Sequence, residues 1–199
     1  MNMICMDLEG VLVPEIWIAF AEETGIEELK RTTREEPDYD KLMKHRIEIL
    51  KEHGYGIGEI RRTITTMEPM EGAKEFLDTL RSFTQAIIIS DTFDQFAMPL
   101  MKKLGYPTIL CNTLTVSPEG WITGHEMRCN SKLDTIRALQ AMNYETIAFG
   151  DSLNDIDMIR GSKAGFLFRT TEEIKKAHPD IPAYEDYSEL LQAVREAMQ

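Results

Sequence analysis

Two carboxylates stand together at the end of the first apolar run of the chain. The run covers residues 3–6, and the sequence continues Asp7-Leu8-Glu9-Gly10. In a parallel α/β sheet, the ligand crevice lies just outside the carboxyl ends of the strands. One carboxylate at such an edge can attack an electrophile or bind a metal ion, while the second transfers protons. Taken alone, the pair fits an ordinary turn or helix N-cap equally well.

A second apolar run, residues 86–89, is followed by Ser90-Asp91-Thr92. A hydroxyl at a strand end, beside a helix N-terminus, is suited to hold a phosphate oxygen. A helix is predicted to begin near Phe93, and Asp91 is the residue we expect to cap it. The functional interpretation therefore rests mainly on Ser90.

A third run, residues 146–149, is followed by an unusually polar turn that includes Gly150-Asp151 and Asn154-Asp155. These groups are more than a helix cap needs. Mg²⁺ prefers oxygen ligands and usually takes one or two protein carboxylates. Asp7 and Asp151, expected on adjacent strand ends, satisfy that preference.

Lys132 begins a predicted helix that lies between the second and third of these strand ends in the sequence. A lysine in the first turn of a helix is unfavourable for the helix dipole, which prefers anions there. Most lysines are exposed on the surface, and that interpretation stays open. Its position between two strand-end motifs instead favours a lysine whose ammonium group balances the charges of a phosphate and a carboxylate.

Strand-like and helix-like segments alternate along most of the chain. Apolar runs separated by amphipathic stretches of helical length indicate βαβ units and a parallel sheet, so the predicted fold class is α/β. Residues 114–127 alternate around a turn at 117–120 and predict an appended β-hairpin. The predicted strands are 4–6, 86–89, 108–111, 146–149 and 165–168, and the predicted helices are 71–81, 94–104, 132–142 and 153–159.

One region interrupts this alternation. From residue 15 to about residue 67 the pattern is helical throughout, and Pro14 and Pro69 are plausible hinges at its two ends. A helical insertion directly after the first strand would cover the carboxyl edge of the sheet. We therefore expect a catalytic core of residues 1–14 and 69–199, with residues 15–68 forming a helical cap domain.

The predicted cap contains an arginine within an apolar stripe. On a helix predicted over residues 38–51, Leu42, Arg46 and Leu50 recur at four-residue steps. Arg46 can snorkel to water, or its guanidinium can face the cleft and pair with a substrate carboxylate. Glu15, at the start of the cap, could accept a hydrogen bond from an ammonium group, although helix-start carboxylates are frequent without such a role.

Composition limits the class of partner. The 199 residues carry a net charge of −12, which disfavours nucleic acid and anionic membranes. An anionic substrate would therefore need a metal ion or local cations. No apolar run has the roughly 20 residues that span a bilayer, and no leader is recognised, so we expect a cytoplasmic protein. A homodimer is compatible with the sequence, which carries no signal that fixes the oligomeric state.

The cysteines and histidines suggest no further site. Cys5, Cys111 and Cys129 form no C-x-x-C pair, and the first two lie in apolar runs, so we expect buried thiols rather than disulfides or metal ligands. The four histidines are scattered. His45 and His53 are too far apart on one helix to share a metal ion.

The order of these motifs resembles the haloacid-dehalogenase-like phosphohydrolase superfamily over nearly the whole chain. Within it, the stretch from residue 7 to residue 21, together with residues 90–93 and 150–152, is similar to the phosphoserine phosphatase branch. The similarity is closest to its bifunctional phosphoserine phosphatase/homoserine phosphotransferase members, because Glu9 replaces the Asp usual in the superfamily. The resemblance implies a Rossmann-like core with helices on both faces of a parallel sheet, plus the inserted helical cap.

The resemblance also implies a mechanism. Asp7 would be the nucleophile that forms an aspartyl-phosphate, and Glu9 would protonate the leaving group and later deprotonate the acceptor. Mg²⁺ would be held by Asp7, Asp151 and the backbone carbonyl of Glu9. The substrate would be a small molecule, O-phosphoserine, and either water or homoserine would accept the phosphoryl group.

The remaining positions would bind or support the substrate. The phosphoryl oxygens would be bound by Ser90, the Asp91 amide and Lys132, and Asn154 would contact the substrate. Asp155 would orient Lys132, and Gly150 precedes the metal ligand as a supporting residue. In the matching branch, the positions of Arg46 and Glu15 bind the amino-acid end of the substrate.

Two other interpretations stay open. The same chemistry could act on a different small phosphomonoester. A non-catalytic phosphoacceptor module would use Asp7 as a switch, although such a switch needs neither a helical insertion nor Glu9. A binding protein on a degenerate fold is disfavoured, because no motif position is lost.

Overall fold

The computed structural model describes residues 1–33, 35–36, 38–128 and 131–199. Seven strands form one sheet in the order β4-β3-β2-β1-β5-β6-β7. All neighbouring pairs are parallel except β3 and β4, which form an antiparallel hairpin. The strands are β1 Asn2–Met6, β2 Gln85–Phe93, β3 Thr108–Val116, β4 Ile122–Glu126, β5 Glu145–Gly150, β6 Ala164–Phe168 and β7 Ala183–Tyr184.

The helices of the described residues cover both faces of the sheet. Along β1, Ile4 and Met6 pack into one apolar cluster and Cys5 into another, because successive side chains of a strand point to opposite faces. The helices are α1 Ile16–Thr24, α2 Tyr39–Glu52, α3 Ile57–Thr66, α4 Ala73–Arg81, α5 Asp94–Lys103, α6 Lys132–Ala141, α7 Ile156–Arg160, α8 Glu172–Ala177 and α9 Tyr187–Ala197.

The topology brings three motif-bearing loops together. β1 lies between β2 and β5 and is parallel to both, so the carboxyl ends of these strands share one edge. The chain adds β2 and β3 on one side of β1 and later adds β5 and β6 on the other. A crevice at such a reversal is where α/β sheets bind ligands.

The predicted α/β class, its parallel sheet and the hairpin are confirmed, but α8, β7 and α9 were not predicted and some predicted elements differ. β2 runs on to Phe93, so the prediction that Asp91 caps the following helix is wrong; Phe93 occupies that position without a side-chain hydrogen bond. β3 is longer than predicted and continues into the hairpin. The predicted helix 153–159 consists of a 3-10 turn, Leu153–Asp155, followed by α7.

The segment 15–68 contains α1, a 3-10 helix at Glu27–Lys30, α2 and α3, and its described residues form no strand of the sheet. The division of the chain into this cap and a core stays a prediction. Within the described residues, no helix combines the length and apolar character needed to cross a membrane. Cys5 and Cys111 are free and buried, as predicted, whereas Cys129 lies outside the described residues.

Candidate active site

The loop after β1 is a compact turn that positions Asp7 and Glu9. The Leu8 carbonyl accepts hydrogen bonds from the Leu12 and Val13 amides at 2.8 and 3.1 Å. Gly10 has a φ of 74°, and a Cβ at this position would lie 2.5 Å from the Asp151 carboxylate. Only glycine therefore permits the turn to pass so close to the loop after β5.

Asp7 faces a buried lysine. Its Oδ2 atom is 2.9 Å from the Lys132 Nζ, and its Oδ1 accepts the Leu8 amide at 2.7 Å. Both residues are buried, with the whole residues Asp7 5% and Lys132 4% exposed. The structure thus rules out a surface location for Lys132, which begins α6 as predicted.

Asp155 fixes the other side of Lys132. Its Oδ1 accepts from the Lys132 Nζ at 2.7 Å, and its Oδ2 accepts from the Asp151 and Ser152 amides, each at 3.1 Å. Asp155 is fully buried. A Cβ on Gly150 would lie 2.2 Å from the Asp155 Cγ, so glycine is required for this approach.

Burial and charge shift the pKa values of this cluster. Burial raises the pKa of Asp7 above its ordinary value, Lys132 opposes that shift, and Asp155 adds to it. Burial disfavours the charged form of Lys132, but the carboxylates of Asp155 and Asp7 raise its pKa above the ordinary value. Lys132 is therefore an ammonium ion at neutral pH.

Asp151 completes a buried acidic trio with Asp7 and Asp155. One oxygen from each carboxylate lies within 4.8 Å of the others, which is a spacing that a bound cation can bridge. Burial, followed by repulsion from Asp155 and Glu15, raises the pKa of Asp151 to about 7. Oxygen donors of this kind are the ligands that hard divalent cations prefer.

Ser90, Asp91 and Thr92 line the same edge from β2. Ser90 is 5% exposed, and its Oγ accepts a hydrogen bond from the Thr92 amide at 3.3 Å. The Asp91 carboxylate accepts a 2.7 Å hydrogen bond from the Asn154 side chain. Asn154, predicted to contact substrate, is exposed at the rim and bridges to β2 in this way.

A cavity of about 330 Å³ joins these groups to the helical segment. Eight of the eleven predicted site residues line this cavity. Lys132 and Asp155 belong to the buried cluster that contains Asp7, and Gly150 is the β5 residue that permits the close approach of Asp155. The cavity is lined by Asp7, Glu9, Glu15, Trp17, Ile18, Thr32, Thr33, Tyr39, Leu42, Arg46, Ser90, Asp91, Thr92, Asp151, Ser152 and Asn154.

Arg46 borders this cavity from α2 and is only 5% exposed. Its guanidinium carbon lies 4.6 Å from the centre of the Trp17 ring, and its Nη2 donates to the Arg31 carbonyl at 2.8 Å. The Nε is buried without a hydrogen-bond partner among the described residues. A buried cation with an unused donor is suited to an anionic ligand group.

Glu9 and Glu15 form an acidic pair at the cavity. The Glu9 Oε2 accepts the Ile16 amide at 2.9 Å. Burial, followed by repulsion from Glu15, raises the pKa of Glu9 to about 8. Glu9 can therefore hold a proton at neutral pH, as a general acid must.

Several cavity residues had no role in the sequence interpretation, among them Trp17, Tyr39 and Thr92. The Trp17 ring packs against the Arg46 guanidinium, and the Thr92 side chain interacts with Glu9 and opposes the rise in the pKa of its carboxyl. Thr92 could have been found from its place in Ser90-Asp91-Thr92, the polar run directly after the second apolar run. The contact of Trp17 with Arg46 joins two helices and has no signal in local sequence.

The family described as haloacid dehalogenase-like hydrolase matches residues 7–160. A Pseudomonas aeruginosa protein named phosphoserine phosphatase ThrH is 48% identical over 191 residues, which cover 96% of this chain and 93% of that protein. A Pseudomonas syringae pv. tomato phosphoserine phosphatase is 47% identical over 187 residues, covering 94% and 79%. A solved structure titled phospho-aspartyl intermediate analogue of phosphoserine phosphatase has a TM-score of 0.75 at 25% identity, covering 96% and 98%.

Proposed function

Because the chain belongs to the haloacid dehalogenase-like hydrolase family, we propose that it is a phosphatase that hydrolyses O-phosphoserine through a phosphorylated Asp7. One observation carries the proposal. The pair Asp7 and Ser90 and the pair Arg46 and Glu15 line one cavity, so one ligand can meet both pairs. O-phosphoserine has a phosphate for the first pair and an amino-acid end for the second.

Asp7 and Glu9 divide the covalent chemistry. A carboxylate oxygen of Asp7 attacks phosphorus, and the bond between phosphorus and the serine oxygen breaks while Glu9 gives its proton to that oxygen. In the second half, water attacks the phosphorus of the aspartyl-phosphate and loses a proton to Glu9. Inorganic phosphate leaves, and Asp7 and the protonated Glu9 are regenerated. The raised pKa of Glu9 supports its role as the acid.

Three donors are proposed to stabilise the phosphoryl oxygens: the Ser90 hydroxyl, the Asp91 amide and the Lys132 ammonium. Donors held in place before the reaction need no reorganisation when charge develops, which makes them effective in catalysis. Asp155 holds Lys132 at 2.7 Å and is itself fixed by two backbone amides. Asp155 therefore acts as a positioning residue.

We propose Mg²⁺ as the cofactor, with Asp7, Asp151 and the Glu9 backbone carbonyl as its protein ligands. The buried acidic trio fits this ion, because it concentrates carboxylate oxygens without an equal number of cations. Both oxygens of Asp155 already accept hydrogen bonds, which favours Asp7 and Asp151 as ligands. When bound, the ion neutralises charge on the phosphoryl group.

Arg46 and Glu15 are proposed to bind the amino-acid end of the substrate. The guanidinium suits a carboxylate, and Glu15 suits an ammonium group. Homoserine carries the same two groups, so it can occupy this clamp after serine leaves and place its hydroxyl where water would attack. We therefore propose phosphoryl transfer to homoserine as a second activity, supported also by Glu9 in the acid position. The free thiols of Cys5 and Cys111 are in keeping with our proposed location, the cytoplasm.

Arg46→Ala tests the substrate assignment. We expect KM for phosphoserine to rise roughly 10- to 100-fold, the value of a charge-assisted hydrogen bond, with KM for p-nitrophenyl phosphate nearly unchanged. Arg62→Ala is the matched control, because Arg62 is an exposed α3 residue whose side chain is 72% accessible. Equal losses with both substrates would favour a different phosphomonoester.

Product analysis tests the second activity. With phosphoserine, Mg²⁺ and homoserine together, phosphorus NMR should detect phosphohomoserine beside inorganic phosphate. Formation of phosphate alone would limit the enzyme to hydrolysis. Asp7→Asn should abolish both products, and retention of turnover by that variant would refute the nucleophile assignment.

A further inference from the structure

The backbone carbonyl of Asp91 accepts hydrogen bonds from two separate parts of the chain. The Tyr39 hydroxyl, at the first residue of α2, donates to it at 3.0 Å. The Asn112 side-chain amide, on β3, donates to it at 3.1 Å. The helical segment and the sheet therefore meet at one peptide group of residues 90–92, the irregular stretch of β2 that we call the Ser90 loop.

This loop lacks ordinary support from the sheet. In the pairing of β2 with β3, Ile89 pairs with Leu110 and Phe93 with Asn112, and the register shifts between these pairs. The pairing of β2 with β1 ends at Ile88. Residues 90–92 thus form an irregularity of the kind that redirects groups near active sites. Tyr39 and Asn112 supply hydrogen bonds where the ladder has none.

Both donors are well defined. Burial raises the pKa of Tyr39 above its ordinary value, so its hydroxyl keeps its proton at neutral pH. The Asn112 Oδ1 accepts the Arg128 amide at 3.1 Å, which turns its NH₂ group toward Asp91. Asn112 is 4% exposed. The Tyr39 ring packs edge-on against His125 at 5.7 Å, so its position does not depend on the hydroxyl alone.

We propose that Tyr39 is a positioning residue for phosphoryl transfer, because its hydroxyl, together with Asn112, orients the loop whose Ser90 and Asp91 groups bind the phosphoryl oxygens. The inference rests on the proposed function. Tyr39 belongs to the segment that also carries Arg46, and both border the cavity. The same helical segment thus contacts the amino-acid end of the substrate through Arg46 and, through Tyr39, orients the groups that bind the phosphoryl oxygens.

Tyr39→Phe removes the hydroxyl and keeps the ring. We expect kcat for phosphoserine to fall about three- to tenfold, the range for one neutral hydrogen bond, with KM changed by less than about twofold. Tyr55→Phe is the matched control, since Tyr55 also lies in the helical segment and packs edge-on against Phe20. Its hydroxyl has no hydrogen-bond partner among the described residues, so kcat should not change.

A merely structural role would lower the melting temperature and leave the kcat of the folded enzyme intact. Equal kcat values for Tyr39→Phe and Tyr55→Phe would overturn the proposal, as would a rise in KM alone. Asn112→Ala combined with Tyr39→Phe gives a second test. Because the two donors share one carbonyl, the fold-decrease in kcat of the double variant should exceed the product of the fold-decreases of the two single variants. Losses that simply multiply would contradict the shared role.

The outcome can be separated from that of the proposed function. If the unmodified enzyme fails to hydrolyse phosphoserine but hydrolyses p-nitrophenyl phosphate, the substrate assignment fails. The Tyr39→Phe and Tyr55→Phe comparison is then made with p-nitrophenyl phosphate, where the same fall in kcat is expected.

Discussion

Replacing Lys132 with methionine removes the ammonium group between two buried carboxylates and keeps a side chain of similar length. Lys132 lies 2.9 Å from Asp7 and 2.7 Å from Asp155, and its side chain is 2% exposed. The two carboxylates keep different numbers of hydrogen bonds after this replacement. Asp155 keeps hydrogen bonds from the Asp151 and Ser152 amides, whereas Asp7 keeps only that from the Leu8 amide among the described residues.

The expected loss of stability follows from this difference. Removing one partner of a buried ion pair costs about 3–5 kcal/mol, because the other charge stays buried and uncompensated. Protonation of Asp7, whose pKa burial already raises, relieves part of that cost. We therefore expect a loss near the lower limit, about 3 kcal/mol. With an m-value of about 2 kcal/mol/M, the urea midpoint falls by about 1.5 M.

Activity should fall further than stability alone explains. Loss of one positioned donor to the transition state lowers kcat roughly 10²- to 10³-fold, measured as phosphate release under conditions where the variant is folded. Lys163→Met is the matched control, because the Lys163–Glu145 pair at 3.2 Å is exposed at 39% and 56%. Such a pair contributes at most about 1 kcal/mol.

Either of two results would refute the proposed role of Lys132. One is a urea midpoint for Lys132→Met that matches that of Lys163→Met. The other is a kcat within about tenfold of that of the unmodified enzyme, because removal of a cation that stabilises the transition state should lower kcat by more than that.

Two further predictions concern the loop after β5 and the titration of the site. Gly150→Ala places a Cβ 2.2 Å from the Asp155 Cγ and should lower both melting temperature and kcat, whereas Gly58→Ala, with no atom within 4 Å of its Cβ, should leave both near their original values. Without Mg²⁺, the free energy of unfolding should decrease as pH rises from about 4 to about 8, since the native protein keeps protons on Asp151 (pKa about 7) and Glu9 (about 8) that the unfolded chain releases. Added Mg²⁺ should flatten this decrease in urea titrations; a rise in stability over the same range would contradict the assigned shifts.

The sheet and the order of its motifs could be predicted from the sequence because their signals are local. Apolar runs mark the strands, and polar residues directly after β1, β2 and β5 mark one edge, since parallel strands align their carboxyl ends. Such signals do not depend on side-chain contacts. Asp7, Ser90 and Asp151 could therefore be identified without tertiary information.

The details that failed or were missed depend on contacts distant in sequence. The expected Asp91 cap was wrong because β2 continues to Phe93 and the Asp91 carboxylate is bound by Asn154 instead. The contact between Tyr39 and the Asp91 carbonyl joins residues 52 positions apart. No local pattern distinguishes such a tyrosine from an ordinary one at the start of a helix.

The charge distribution explains how an acidic protein can select an anionic substrate. With a net charge of −12, the chain gives a phosphate no general attraction. In the part of the chain that the structure describes, the buried basic residues are Lys132 and Arg46, and they serve opposite ends of the proposed substrate. A phosphomonoester without a carboxylate would leave the Arg46 guanidinium buried with an unused donor. The free-energy cost of leaving a buried polar group unpaired exceeds the free-energy gain from pairing it. This site should therefore discriminate chiefly by binding the wrong substrate weakly.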